Sequence, residues 1–216
     1  GYHPPCLAPR RGVEAGGRLV EEQQLRVPDQ RDADVERIEN ERGSTRLYDA
    51  LITKFQAVQA LGQEVLPPAE QVMSMAPDQA ASLASVQGES PIATLTRIRN
   101  EELAHFRMLG ECIVKMGGDP TAMTPCADVV GTATMGIMQV VTDPRTTLAQ
   151  SLNAILSAEL TDGAGWEMLV QLAEDAGETD MAGKFLGALA QEQEHVAIVK
   201  GWLTELVSKG AGSPAV

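Results

Sequence analysis

Aromatic residues are scarce in this chain of 216 residues, at 3% of the total. Hydrophobic residues nevertheless account for 44%. The core therefore has to be built from aliphatic side chains and Ala, with the nine Met residues filling irregular gaps. Clusters of β-branched and aromatic residues, which favour strands, are also rare. This composition argues against a β-rich fold and favours a single, largely helical domain.

Cysteine is equally sparse, and Cys6, Cys112 and Cys126 form no C-x-x-C pair. An odd number of unpaired positions argues against a disulfide framework and against a rubredoxin-like iron site. No apolar run reaches the ~18 residues of a membrane span. The opening GYHPPCLAPR does not have the pattern of a signal peptide. We therefore expect a soluble, cytoplasmic protein of a reducing compartment.

Basic residues are also in deficit, since 17 Lys and Arg face 30 Asp and Glu, giving a formal net charge of −13. A surface that binds nucleic acid or an anionic membrane needs a basic patch, so we expect neither partner. The acidity has two interpretations. It can simply provide solubility, or it can help to gather cations.

Turn and cap signals divide the chain into an arm, a helical domain and a short tail. Residues 1–31 lack periodicity and predict an extended or disordered N-terminal arm, and residues 211–216 predict a flexible tail. Between them, residues 32–210 predict four long helices in two hairpins. The predicted starts are Asp32, Ser90-Pro91, Asp143-Pro144 and either Thr179 or Asp180, and the predicted ends are Pro67, Gly117-Gly118, Gly177 and Gly210. Gly43 predicts a bend or a restart in the first helix. With a short apolar helix at 126–141, this is an all-α four-helix bundle with one long crossover.

A Glu-x-x-His pattern occurs twice and uses two of the three histidines. It comprises Glu102 with His105, and Glu192 with His195. Residues three apart share a helix face, so each pattern points a carboxylate and an imidazole the same way. The apolar residues around both patterns have helical spacing, which indicates that this face is the inner one. Buried carboxylates require a partner, and two such pairs facing each other predict a bound cation.

The third long helix supplies another inward carboxylate, Glu159, on a stripe with Ile155 and Trp166. The 33 residues from Glu159 to Glu192 suffice to leave one helix and return to the same level on the next. Carboxylates and imidazoles without thiolate suit iron or manganese. The alternative is that each histidine is a satisfied core residue. Two inward copies of the pattern, together with Glu159, favour the metal.

These residues also resemble a known family. The stretch SAELTDGAGWEMLVQLAEDAGETDMAGKFLGALAQEQEHVAIV is similar to the ferritin-like superfamily, and most of all to its rubrerythrin-type bundles. The resemblance covers about residues 33–209. It implies a carboxylate-bridged di-iron centre, with one Glu from each of two helices and Glu-x-x-His from each of the other two. Glu159, Glu102, His105, Glu192 and His195 match five of the six ligands.

The sixth ligand, from the first helix, has no clear candidate in the sequence. Glu64 lies too near the end of the predicted helix. Asp49 lies eighteen residues before Pro67, as Glu159 lies eighteen before Gly177, and we take it as the candidate. Around the site, Asp162 is a candidate acceptor for the second nitrogen of a ligating histidine. Tyr48, the neighbour of Asp49 on the first helix, is interpreted as a core residue more than as a hydrogen-bond donor to the site.

Three functions remain open at this level. The first is a di-iron or iron–manganese protein that oxidises Fe(II) or reduces peroxide or oxygen, with Glu102 or Glu192 bridging the metals. It would take metal ions and small oxidants as partners and an external electron donor. The second is a non-catalytic assembly or stress protein with a degenerate metal site, whose arm could tie neighbouring subunits together. With either function we expect a homo-oligomer. The third is a hydroxylase of an organic substrate.

Overall fold

The computed structural model describes residues 23–62, 66–74, 86–122 and 125–211, and within these ranges it contains helices and no strand. The all-α prediction is therefore confirmed. In chain order the helices are α1 (Gln23–Ala60), α2 (Ala69–Met73), α3 (Pro91–Lys115), α4 (Pro125–Thr142), α5 (Leu148–Asp175) and α6 (Thr179–Ala211). None of these described helices has the length and apolar character needed to cross a membrane.

The helix ends follow local sequence signals. Ser90 caps α3, where its side chain accepts a hydrogen bond from a first-turn amide and Pro91 fixes the first φ. Thr147 and Gln150 form a reciprocal capping box at the start of α5. Gly117 and Gly177 follow α3 and α5 with φ of 76° and 74°. An L side chain is strained at these angles, so glycine allows the chain to leave each helix.

The first helix differs from its predicted extent at both ends. α1 begins at Gln23, ahead of the expected start at Asp32, and it ends at Ala60 instead of Pro67. It is continuous through Gly43, so the helix does not restart at Ser44. A Cβ on Gly43 would lie 2.8 Å from Cγ2 of Thr134. This glycine therefore allows α4 to approach α1 closely, and it does not interrupt the helix.

Other parts of the predicted organisation lie outside the described residues. Residues 1–22 of the N-terminal arm belong to this group, whereas residues 23–31 form the start of α1. Residues 212–216 of the C-terminal tail and the helical turn expected near Pro77 lie outside as well.

The four long helices pack in antiparallel pairs. α5 packs most extensively against α6, and α1 against α3, while α4 packs against α1 and α5. Cross-helix contacts show the antiparallel directions. α1 and α3 are joined by Glu41 with His105 and by Asp49 with Arg99. α1 and α5 are joined by Ser44 with Asp162 and by Tyr48 with Glu159. Two apolar clusters, one containing Phe55 and Trp202 and the other containing Trp166 and Phe185, fill the interior. Between them lies a layer of buried polar residues.

A close approach of α6 to α2 gives a first testable prediction. A Cβ on Gly201 would lie 2.7 Å from Cβ of Val72, a buried residue of α2. We expect Gly201→Ala to lower the free energy of unfolding by about 1–3 kcal/mol, because the helices must move apart. Differential scanning calorimetry should show a melting temperature lower by roughly 2–10 °C.

Gly187 provides the matched control for this substitution. It lies on the same helix, and a Cβ there would meet no atom within 4 Å. Gly187→Ala should leave the melting temperature unchanged or raise it, since Ala favours the helix by up to about 1 kcal/mol over Gly. A Gly201→Ala protein that melts with or above the parent would contradict the predicted clash.

Candidate metal centre

Six ionisable side chains from the four long helices meet in the polar layer. They are Glu41 from α1, Glu102 and His105 from α3, Glu159 from α5, and Glu192 and His195 from α6. Each is at most 2% exposed. Charged side chains are rarely buried to this degree unless they are paired or coordinate a metal.

The six side chains form two overlapping groups. Ligand atoms of Glu41, Glu102, His105 and Glu192 lie within 4.8 Å of one another, and so do those of Glu102, Glu159, Glu192 and His195. Glu102 and Glu192 belong to both groups. Two adjacent sites of four ligands each, with two carboxylates in common, suit a pair of metal ions bridged by carboxylates.

The orientation of Glu192 fits a bridging role. Its Oε1 lies 2.9 Å from Nδ1 of His105, and its Oε2 lies 3.7 Å from Nδ1 of His195. The other shared carboxylate, Glu102, places Oε1 3.0 Å from Nδ1 of His195. Two of these approaches are short enough for ion pairs when the imidazole is protonated, but their geometry is not that of a hydrogen bond. All of these atoms converge on one space between the four long helices.

The two remaining carboxylates are held in matching ways. Glu159 accepts a hydrogen bond of 2.6 Å at Oε1 from the hydroxyl of Tyr48. Glu41 accepts one of 2.9 Å at Oε1 from the indole nitrogen of Trp166. In both residues Oε2 then lies 3.6 Å from the Nδ1 atom of a histidine. Tyr48 is fully buried as predicted, and it is also a hydrogen-bond donor to the site.

Each histidine directs Nδ1 into the cluster and Nε2 away from it. Nε2 of His105 lies 2.8 Å from Oε1 of Gln191, and Nε2 of His195 lies 2.8 Å from Oε2 of Glu101. These contacts correct the expectation that Asp162 accepts from a histidine. Asp162 is buried, but its Oδ2 accepts a hydrogen bond from Ser44 that ties α5 to α1.

The pKa values in the cluster reflect burial and crowding of like charges. Burial, followed by the neighbouring carboxylates Glu192 and Glu41, raises the pKa of Glu102 well above its ordinary value. Burial also opposes ionisation of Glu192, but the two imidazoles beside it hold its pKa below the usual range. Burial would lower the pKa of His105, yet Glu192 and Glu41 raise it to about 10. Without metal, the histidines thus carry protons that offset part of the negative charge.

Charge balance and unsatisfied atoms test whether this site fits two metal ions. Four carboxylates with neutral histidines carry a charge that two divalent cations neutralise. Among the described residues, neither oxygen of Glu102 or Glu192 has a hydrogen-bond partner, and the same holds for Nδ1 of both histidines. Buried polar atoms of this kind are costly. The residues present therefore fit a pair of divalent ions.

The site also corrects the predicted ligand on the first helix. Asp49 is not in the cluster: its side chain is 54% exposed and pairs with Arg99 at 2.9 Å. Glu41 lies in its place, two turns nearer the N-terminus of α1. A signal for it was present, because Glu41, Tyr48 and Phe55 follow at intervals of seven on one helix face. Gly43 concealed that signal by suggesting that the helix restarts after Glu41.

The donor set indicates which metals the site would suit. Carboxylate oxygens with imidazole nitrogens, and no thiolate, suit iron and manganese. No protein-family model, curated protein or solved structure matches this chain. The chemistry of the site is therefore the basis for assigning a function.

Proposed function

We propose that this protein is a non-haem di-iron, or mixed iron–manganese, carboxylate protein that oxidises Fe(II) or reduces peroxide or oxygen. The observation that carries this proposal is the pair of four-ligand groups sharing Glu102 and Glu192. Two carboxylates common to both groups would hold two ions as a pair, and this arrangement suits chemistry that needs two metals. A single structural ion would require only one of the groups.

The helical arrangement supports a ferritin-like four-helix bundle, similar to the rubrerythrin type. α1, α3, α5 and α6 are long and pack in antiparallel pairs, and each contributes candidate ligands to one level. The ligands comprise one Glu from each of α1 and α5 and a Glu-x-x-His from each of α3 and α6, which is the ferritin-like di-iron set. α4 lies in the connection between the two hairpins, where the bundle needs a long crossover.

The protein's own residues would hold and orient the metals. When bound, iron supplies the one-electron redox chemistry of Fe(II) oxidation or peroxide reduction. Glu102 and Glu192 hold the two positions together, and His105 and His195 each offer Nδ1 to one of them. Tyr48 fixes Glu159 so that its second oxygen faces the site. The surrounding apolar clusters exclude bulk water, which strengthens these electrostatic interactions.

The alternative of a degenerate, non-catalytic site was motivated by the doubtful ligand on the first helix and by the N-terminal arm. Glu41 provides a buried carboxylate on that helix, which supports the di-metal proposal, whereas residues 1–22 of the arm lie outside the described residues. The proposal keeps metal ions and small oxidants as the partners of this chain.

Metal content and Fe(II) oxidation together test the proposed function. Protein loaded anaerobically with Fe(II) and desalted should hold about two ions per chain. Exposure to oxygen or peroxide should consume the bound Fe(II) much faster than free Fe(II) in the same buffer, as followed with a ferrous chelator. Two bound ions without faster oxidation would leave a binding protein and reject the redox function. Fewer than one ion per chain would reject the metal centre itself.

A further inference from the structure

The two groups of ligands in the proposed metal centre have much in common. We call them the His195 position (Glu102, Glu159, Glu192, His195) and the His105 position (Glu41, Glu102, His105, Glu192). Each contains the two shared carboxylates, one further carboxylate and one imidazole. The further carboxylates are also alike, because each accepts one hydrogen bond from a buried aromatic donor. These features do not distinguish the positions.

The partners of the two histidines do differ, first in how they fix the imidazole tautomer. Glu101 is a carboxylate paired with the guanidinium of Arg97, and Nε2 of His195 lies 2.8 Å from its Oε2. A carboxylate held in this way accepts, so in the neutral imidazole that binds a metal Nε2 carries the proton and Nδ1 the lone pair. The amide of Gln191 can accept or donate, depending on its orientation. Gln191 therefore does not fix the tautomer of His105.

The partners also differ in charge. A carboxylate that accepts from the outer nitrogen of a ligating histidine raises the basicity of the nitrogen that binds the metal. Glu101 has this effect on His195. Gln191 is neutral, so it polarises His105 much less. The imidazole of the His195 position is thus the stronger donor.

The anchoring of the two partners strengthens this difference. Nη1 of Arg97 lies 3.0 Å and 2.9 Å from the two oxygens of Glu101. Arg97 is in turn held by Glu194 at 2.8 Å and Glu89 at 3.2 Å. Glu101 is therefore preorganised toward His195. The side chain of Gln191 is exposed, so water competes for its hydrogen bond to His105.

We propose that the two metal positions are inequivalent, and that Glu101 makes the His195 position the tighter one by positioning and polarising His195. This inference rests on the proposed di-metal function. Partners of ligating histidines typically change metal affinity by about 10–100-fold. Metal should therefore fill the two positions in order, and the His195 position should fill at a lower concentration of free metal ion than the His105 position.

Titration of the full chain with Co(II) alone, without oxygen, tests this order. The parent should bind in two steps whose dissociation constants differ by about 10–100-fold, as measured by calorimetry and Co(II) absorption. His195→Ala should lose the tight step, and His105→Ala the weak one. Glu101→Gln keeps an acceptor for Nε2 but removes the charge, so the tight step should weaken by at least about 10-fold while the weak step stays within about 3-fold.

Gln191→Glu is the converse variant, and it separates positioning from simple structural damage. It adds a charged partner to His105, so the weak step should tighten by about 10-fold. Damage to packing cannot tighten a metal site. Equal steps in the parent, equal weakening of both steps in Glu101→Gln, or no tightening in Gln191→Glu would each overturn the inference. Absence of Co(II) binding to the parent would instead reject the metal centre, which is the separate failure of the proposed function.

Discussion

Glu192→Ala is expected to remove nearly all bound metal, whereas Glu41→Ala should keep about one ion per chain. The difference follows from the sharing of Glu192, whose two oxygens face different histidines, while Glu41 belongs to one group. Loss of a bridging carboxylate removes a ligand from both positions and leaves two imidazoles without their common anion. Elemental analysis after anaerobic loading with Fe(II) or Mn(II) and desalting measures the remaining ions.

Asp49→Ala is the matched control for this pair of variants. It also removes a carboxylate from α1, but Asp49 is half-exposed and pairs with Arg99 outside the cluster. It should keep both ions and change the free energy of unfolding by no more than about 1 kcal/mol. Equal losses of metal in Glu41→Ala and Glu192→Ala would show that Glu192 is not shared. Loss of an ion in Asp49→Ala would return Asp49 to the ligand set.

Glu102→Gln should change stability in opposite directions in the absence and presence of metal. Without metal, Glu102 is a fully buried carboxylate beside other carboxylates, which raises its pKa and makes its anion costly. A neutral side chain of the same shape should increase the free energy of unfolding by about 1–3 kcal/mol. This corresponds to a melting temperature higher by roughly 2–10 °C for a domain of this size.

With metal bound, the parent should be more stable than Glu102→Gln. A ligand at 100 times its dissociation constant stabilises the native protein by about 2.7 kcal/mol per site. The parent should gain this from both positions, whereas Glu102→Gln lacks a shared ligand and should gain little. Thermal melts in the presence of chelator, and separately of Mn(II), measure the stability difference between variant and parent in the two conditions. Glu174→Gln, which neutralises an exposed carboxylate of α5, should follow the parent in both conditions. Lower stability of Glu102→Gln with chelator would mean that the apo cluster is not strained by its charge.

The candidate ligands on α3 and α6 could be predicted because they depend on a local property. Three residues separate Glu102 from His105 and Glu192 from His195, and the helical period alone places each pair on one face. The apolar residues around them indicate that this face is buried. Glu159 could also be predicted, because α5 and α6 form a hairpin whose short connection contains Gly177. When the connection is short, counting residues across it shows which positions of the two helices lie at the same height in the bundle.

The candidate ligand on α1 could not be placed in this way. Counting back from Pro67 led to Asp49, but α1 ends at Ala60 and a turn at Gly62 follows. The segment from there to α3 is long, so the sequence does not set the level of α1 against its neighbours. Glu41 and Asp49 are separated by two helical turns, about 11 Å along the axis, so an error of that size in the level of α1 exchanges one candidate carboxylate for the other.

The sequence by itself determined the helical fold class, the inner faces of the long helices and the Glu-x-x-His pairs, because all three follow from residues a few positions apart. Only the tertiary structure decided that Glu41 joins the cluster, since Ser44 with Asp162 and Asp49 with Arg99 set the level of α1. It also decided which residues hold the histidines. Glu101 of α3 reaches His195 of α6 across the helix pair, and that contact depends on packing between segments far apart in the chain.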